Sequence, residues 1–238
     1  MIKSYKQDYQ DGQLTLEGYC AFDDSITTPR PAILICHDWS GKNELACKKA
    51  DQLAELGYIG FALDMFGKGI LGRTKEEKGA LIQPLLQDRA ALLQRILAAV
   101  HTVKQLPQVN PQQIAAIGFC FGGLCVLDLA RSGADIAGVI SFHGLLNPPA
   151  NQTPSPIKAK VLVLHGYDDP MVPPDTLKNF ADEMTQAKAN WEINIYGHTT
   201  HAFTNPEAND PAFGTVYNKQ ADQRSWLSMI MFLKEIFK

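Results

Sequence analysis

The fold is decided around residues 114–124, which read Ile-Ala-Ala-Ile-Gly-Phe-Cys-Phe-Gly-Gly-Leu. An apolar run ends at Ile117, a glycine-bounded turn carries Cys120, and a helical segment begins near Leu124. The pattern Gly-x-Cys-x-Gly between a strand and a helix is typical of a nucleophile elbow, a tight turn that exposes one reactive side chain. Gly118 and Gly122 have no Cβ to clash with such a turn. The stretch therefore predicts a strand–turn–helix unit with Cys120 at the turn.

Two interpretations of Cys120 are open at this point. The first-turn N–H groups and the positive end of the helix dipole would stabilise a thiolate, which is the reactive form of cysteine. Glycines that merely pack around a buried, inert cysteine would give the same short pattern. The residues on either side of this stretch bear on the choice.

Short apolar runs alternate with helical segments along the chain. The runs are mostly continuous, as expected of strands covered on both faces, and span Ala32–Cys36, Tyr58–Leu63, Ile114–Gly118, Ile136–Phe142, Val161–Leu164 and Trp191–Tyr196. The predicted helices are Leu45–Leu56, Leu85–Leu106 (opened by Pro84 and closed by Pro107), Leu124–Arg131, Leu177–Ala187 and Tyr217–Lys238. Residues 13–20 alternate like an antiparallel edge hairpin. The pattern predicts an α/β fold in one domain over residues 1–238, with a mostly parallel sheet and helices on both faces.

Composition excludes several function classes. The 238 residues carry 22 basic and 25 acidic side chains, a net charge of −3, so nucleic-acid binding lacks its main driving force. No apolar run approaches the roughly 18 residues that a membrane span requires, and Met1–Asp8 lacks a signal-peptide pattern. The five dispersed cysteines favour a reducing cytoplasm over a disulfide framework. The turn-forming residues of Asn147–Pro156 predict a long surface connection.

Two polar motifs follow strand ends downstream of Cys120. One contains Asp168 and Asp169, and the other contains His198 and His201. Nucleophile, acid and histidine in that order are typical of α/β-hydrolases, and the carboxyl ends of parallel strands meet at one edge of a sheet. Asp169 is favoured as the acid because Asp168 is expected to brace the turn. His201 is favoured over His198, but spacing alone leaves both choices open.

Three further features belong to the same predicted edge. The segment His37-Asp38-Trp39-Ser40-Gly41 follows a strand, where this fold places one backbone donor of an oxyanion hole. The predicted donors are the N–H groups of Trp39 and Phe121, the residue after the nucleophile. His143 follows another strand and is a candidate brace near the elbow. A metal site at the histidine pair lacks a convincing third ligand, so no metal is predicted.

These motifs resemble the dienelactone hydrolase family over nearly the whole chain. The resemblance rests on HDWSG at 37–41, DMFGKG at 64–69, GFCFGG at 118–123, HGYDDPMVP at 165–173 and HAFTNP at 201–206, with a further match at 217–226. It implies an α/β-hydrolase fold and a cofactor-free cytoplasmic hydrolase of a small ester or lactone, acting through a thioester. It also implies a triad of Cys120, His201 and Asp169. Partners beyond the substrate, whether nucleic acid or membrane, are not implied, and a monomer and a homodimer both remain open.

Two departures from the family bear on the substrate. Members that open dienelactone typically clamp its carboxylate with two arginines, and those positions read Lys68 and Asn205 here. The glutamate that usually follows the first histidine is Asp38. Phe203 is one of several aromatic residues in these motifs that suggest an apolar acyl pocket. Asp38, Lys68, Phe203 and Asn205 together form the predicted substrate-binding set. The alternatives are a short-chain carboxylesterase or thioesterase with another substrate, and a catalytically weak binding protein on the same scaffold.

Overall fold

The computed structural model describes residues 1–150 and 156–238, and the chain divides into two units, Met1–Ile117 and Gly118–Lys238. The predicted connection over Asn147–Pro156 lies partly outside the described residues, since 151–155 are not among them. The single domain over residues 1–238 stays a prediction.

The first unit contains five strands and three helices in its described residues: β1 Ile2–Asp11, β2 Leu14–Asp23, β3 Arg30–Cys36, α1 Glu44–Glu55, β4 Ile59–Ala62, α2 Lys75–Gln87, α3 Arg89–Lys104 and β5 Val109–Phe119, which ends two residues into the second unit. The strand order is β1-β2-β4-β3-β5. β1 and β2 form an antiparallel hairpin, whereas β3 and β4 pair in parallel. All four β4 residues and six of the seven β3 residues are buried, which explains their continuous apolar sequences.

The second unit contains α4 Phe121–Arg131, β6 Gly138–Phe142, β7 Lys160–Gly166, α5 Pro174–Gln186, β8 Trp191–Tyr196, β9 Asn209–Asp210, β10 Thr215–Val216 and α6 Lys219–Ile236. β6, β7 and β8 are neighbours and pair in parallel. Their register aligns Phe142 with Leu164 and Gly166 with Tyr196. The segments that follow these three strands therefore begin at the same edge of the sheet.

The predicted α/β architecture with a mostly parallel sheet is confirmed. The predicted antiparallel edge hairpin is present, but its predicted bounds are wrong: it is formed by β1 and β2, and residues 14–20 belong to β2 alone. β2 pairs on its other side with β4, so that β1 is the edge strand. Within the described residues, none of the helices has the length and apolar character needed to cross a membrane.

The predicted helix Leu85–Leu106 is wrong at its start. Pro84 lies inside α2, which begins earlier, where Thr74 and Glu77 form a capping box. The next helix begins after Asp88, whose Oδ1 accepts the N–H of Ala91 at 3.0 Å. A proline is tolerated in the first turn of a helix, so the sequence suggested a start there, but side-chain caps at residues 74 and 88 set the boundaries.

Candidate active site

Cys120 occupies a strained turn between β5 and α4. Its φ of 54° lies in the left-handed region, which costs a residue with a side chain roughly 1–3 kcal/mol. The N–H of Cys120 donates to the carbonyl of Phe142 at 3.0 Å, and its own carbonyl accepts the N–H of Gly123 at 3.0 Å. These bonds hold the half-buried Cys120 at the amino end of α4, as the elbow pattern predicts.

The turn has no space for a side chain at Gly118 or at Gly123. A Cβ at Gly118 would overlap the carbonyl of Gly122, and a Cβ at Gly123 would come within 2.7 Å of the Cα of Gly144. Backbone therefore packs directly on backbone, both across the turn and between α4 and the segment after β6.

Gly118→Ala is expected to destabilise the protein by about 3 kcal/mol or more, because backbone has to move to admit the methyl group. Gly79→Ala is the matched control, since a Cβ at this position of α2 meets nothing within 4 Å. The control should be neutral or stabilising by up to about 1 kcal/mol. Urea unfolding of both variants measures the difference, and equal stabilities would contradict the packing described for the turn.

Asp169 and His201 form a buried pair. Asp169 Oδ2 lies 2.7 Å from His201 Nδ1, and the two side chains are 0% and 2% exposed. Asp169 Oδ1 accepts the N–H of Met171 at 2.8 Å, so Asp169 itself braces the turn, a role that the sequence suggested for Asp168. Asp168 is instead half exposed, 3.9 Å from the fully exposed His198. The structure thus joins Asp169 to His201 and leaves the other two residues at the surface.

The surroundings of His201 favour its protonated form. Burial lowers the pKa of this imidazole, but the negative charge of Cys120, together with the hydrogen bond and charge of Asp169, outweighs burial and raises the pKa to about 10. Nε2 is buried and makes no hydrogen bond of ordinary geometry within the described part of the chain. Cys120 and His201 are therefore close enough to interact electrostatically.

The backbone around His201 is fixed by a segment that the sequence did not single out. His201 N–H donates to Gly214 O at 3.0 Å, and its carbonyl accepts the N–H of Val216 at 3.2 Å. Ala202 has a φ of 57°, again in the left-handed region. The two-residue strands β9 and β10, too short to give an apolar pattern, therefore help to set the position of His201.

Three of the predicted residues belong to the first unit. Asp38 Oδ1 accepts the N–H of Ser40 at 2.8 Å and so braces its own turn. The Trp39 ring is covered by the ammonium group of Lys78, 5.6 Å from the ring centroid. Lys68 Nζ lies 2.6 Å from Asp8 Oδ2, an ion pair that balances its charge within this unit.

The other predicted residues belong to the second unit. Phe121 is the first residue of α4, where backbone N–H groups point out of the helix. Phe203 is fully buried and packs edge-to-face on Tyr196. Asn205 Oδ1 accepts the N–H of Glu207 at 3.0 Å, so its amide is used within its own turn. Among the residues described, no cluster of three or more His, Cys, Asp or Glu side chains could hold a metal ion.

Cys120, Asp169 and His201 follow one another in the chain, and the last two form a buried pair. Known proteins have sequences similar to that of this chain. The sequence model of the dienelactone hydrolase family matches residues 16–237. The chain belongs to this family. Membership in the dienelactone hydrolase family makes it a hydrolase that acts on carboxylic ester or lactone bonds.

Three known proteins match this chain over most of its length. A dienelactone hydrolase-like promiscuous phosphotriesterase from metagenomic libraries is 35% identical, with a TM-score of 0.95 over 100% of this chain and 99% of its own. A putative carboxymethylenebutenolidase of Saccharolobus solfataricus is 28% identical over 92% of this chain and 94% of its own. A probable 2-oxo-3-(5-oxofuran-2-ylidene)propanoate lactonase of a Bradyrhizobium species is 26% identical over 88% and 85%, respectively.

Proposed function

We propose that the protein hydrolyses small carboxylic esters or lactones through a covalent thioester on Cys120, with His201 as the proton carrier and Asp169 as its orienting partner. The observation that carries the proposal is the buried 2.7 Å contact between Asp169 and His201, whose ring also lies within the electrostatic field of Cys120. A nucleophile, a base and a group that orients the base are the parts that acyl transfer requires.

In the first half of the proposed reaction, the Cys120 thiolate attacks the carbonyl carbon, and the carbonyl π electrons move to oxygen. When the oxyanion collapses, the carbon–oxygen bond to the alcohol breaks, and His201 donates its Nε2 proton to the departing alkoxide. A ring that is already protonated, as the raised pKa of His201 indicates, can supply that proton without a preceding transfer. The products of this half are the thioester and the alcohol, or the ring-opened hydroxyl of a lactone.

In the second half, neutral His201 takes a proton from water as the water oxygen attacks the thioester carbon. The carbon–sulfur bond then breaks, the acid leaves, and the thiolate faces the imidazolium again. Asp169 holds Nδ1 through both halves, which keeps Nε2 directed at the reacting atoms and offsets the positive charge.

The oxyanion of each half needs hydrogen-bond donors. We propose the Phe121 N–H, because its position at the amino end of α4 adds the positive end of the helix dipole. The Trp39 N–H stays the sequence-based prediction for the second donor. Removal of one such donor typically costs about 3–4 kcal/mol of transition-state stabilisation.

The proposal is tested by trapping the intermediate. Purified protein is mixed with p-nitrophenyl acetate, quenched in acid within the first turnovers and digested for mass spectrometry. We expect the peptide that contains Cys120 to carry one acetyl group, and p-nitrophenol to be released in a burst. Turnover without an adduct on this peptide, or an adduct on another residue, would overturn the thioester mechanism.

The substrate class is tested by initial rates on a panel of short aliphatic esters, small lactones and acyl thioesters. Lactone turnover at least as fast as that of the esters would support a lactonase, and the reverse order would favour a short-chain esterase. If none of the compounds is hydrolysed and Cys120 reacts with iodoacetamide no faster than the other four thiols, the protein is instead a catalytically weak binding protein.

A second candidate activity is hydrolysis of phosphotriesters. It is favoured by one observation, the 35% identity over the full chain with a relative described as a promiscuous phosphotriesterase. The same thiolate would attack phosphorus and release the aryloxide. Paraoxon distinguishes the outcomes: sustained release of p-nitrophenol supports the activity, whereas a single equivalent followed by permanent inactivation contradicts it.

A further inference from the structure

We propose that His143 is a positioning residue that holds the His201 ring with Nε2 directed at Cys120 and the reacting atoms, the orientation needed for proton transfer to the leaving alkoxide and from water. This inference rests on the proposed function and deepens it. His143 follows β6, lies outside the Cys120–His201–Asp169 set, and is 2% exposed.

The backbone of His143 is fixed on both sides. Its φ of 40° lies in the left-handed region, and its N–H donates to the carbonyl of Leu164 in β7 at 2.9 Å. On one side, Phe142 accepts the N–H of Cys120, and on the other, Gly144 packs against Gly123 in the first turn of α4. A strained conformation at a non-glycine residue persists only where the surroundings enforce it. The main chain of His143 is therefore tied to the same turn that carries Cys120.

The side chain of His143 contacts the His201 segment at three points. Its ring centroid lies 5.1 Å from that of His201, with an interplanar angle of 64°. It lies 5.1 Å from the Phe203 ring at 78°. Its Nε2 is joined by a 2.8 Å hydrogen bond to Oγ1 of Thr204, which is 3% exposed. Edge-to-face contacts of this kind stabilise one relative orientation of two rings.

The contacts of His143 complement the bond to Asp169. A single hydrogen bond at Nδ1 fixes one corner of the His201 ring but still lets the ring tilt about that corner. The His143 ring blocks the tilt on one side, and its bond to Thr204 holds the chain three residues after His201. Since a misplacement of about 1 Å can cost roughly 100-fold in rate, this second support matters for proton transfer between Nε2 and the alkoxide or water.

Four variants separate the hydrogen bond from the ring contact. His143→Phe keeps a ring edge but cannot bond Thr204, and His143→Gln keeps an amide near the position of Nε2. Thr204→Val removes the same bond from the other side, and His143→Phe/Thr204→Val combines the two changes. Ser225→Ala is the matched control, because it removes a buried hydroxyl bond within α6, from Ser225 Oγ to Asp222 O.

The readouts are kcat and KM for p-nitrophenyl acetate, the alkylation rate of Cys120 by iodoacetamide at neutral pH, and Tm. We expect His143→Phe and Thr204→Val each to lower kcat about 10- to 100-fold with KM nearly unchanged, and to slow alkylation. The double variant should be no slower than the worse single one, since both remove one bond. His143→Gln should recover part of kcat, and Ser225→Ala should lower only Tm.

A purely structural His143 would give the opposite pattern: Tm falls in all the variants and kcat stays within about twofold of wild type, which overturns the inference. If His143→Phe does not fold, the kcat and alkylation rate of Thr204→Val and His143→Gln decide the matter. Failure of the proposed function is seen separately, as absence of the Cys120 acyl adduct in the wild-type protein. With the adduct present and kcat unaffected by the variants, only the role of His143 is overturned.

Discussion

Replacement of Cys120 by alanine is expected to lower kcat/KM for p-nitrophenyl acetate by about 10⁴-fold or more, with the fold retained. Loss of a nucleophile of this type removes the covalent route altogether, and what remains is binding and oxyanion stabilisation. The fold should tolerate the change because Cys120 is half-buried and its side chain accepts no hydrogen bond from the N–H groups at the start of α4. Alanine keeps the Cβ, so the backbone strain at a φ of 54° is the same in the variant.

Steady-state rates and thermal unfolding of Cys120→Ala measure these two effects. Cys47→Ala is the control, because Cys47 is also half-buried but lies in α1 of the first unit. The control should keep wild-type kcat. Cys120→Ser should retain only weak activity, since a hydroxyl is a poorer nucleophile than a thiolate beside the same base. Wild-type rates in Cys120→Ala would refute the mechanism.

Asp169→Asn is expected to lower kcat by about 10³- to 10⁴-fold with little change in size or packing. The new amide can still accept the Met171 N–H through its oxygen. Its NH₂ group then faces Nδ1 of His201, which has to accept rather than donate. That arrangement moves the ring proton to Nε2 of a neutral imidazole, which then cannot take a proton from a thiol or from water.

The same substitution should shift the titration of His201. In the wild-type protein the pKa of His201 is raised to about 10, so the imidazolium form is stabilised by folding and persists to alkaline pH. Asp169→Asn removes one hydrogen bond and one negative charge that raise this pKa, while burial continues to lower it. The titration midpoint measured by NMR on the histidine ring should therefore fall in the variant. An unchanged midpoint together with unchanged kcat would show that Asp169 does not act on His201.

The parts of the fold that depend on local patterns are predicted well from sequence. β8 has the same bounds in sequence and structure, Trp191–Tyr196, because large apolar residues at every second position between turns favour a strand. The turn at Cys120 is equally local, since glycines on both sides allow only a tight strand-to-helix connection. Chain order leaves Asp168 and Asp169 open, and the distinction lies in which carboxylate is buried against His201.

Features that depend on distant partners are not visible in the sequence. Lys68 pairs with Asp8, 60 residues away, which no local pattern indicates. The bond between His143 and Thr204 joins residues 61 apart, and β9 and β10 are too short for any periodicity. The start of α2 differs, because the capping box of Thr74 and Glu77 is a local signal that the sequence does contain.

The close approach of Gly123 and Gly144 has a consequence for engineering this protein. Two main chains in direct contact give a region of the protein almost no mutational tolerance, so random libraries that include positions 118, 123 or 144 would consist mainly of non-functional clones. Diversity is better directed to Lys68, which is half exposed, and to Asn205, whose side-chain oxygen accepts a bond within its own turn. A library at these two positions tests the prediction that they bind substrate and leaves the glycine contacts intact.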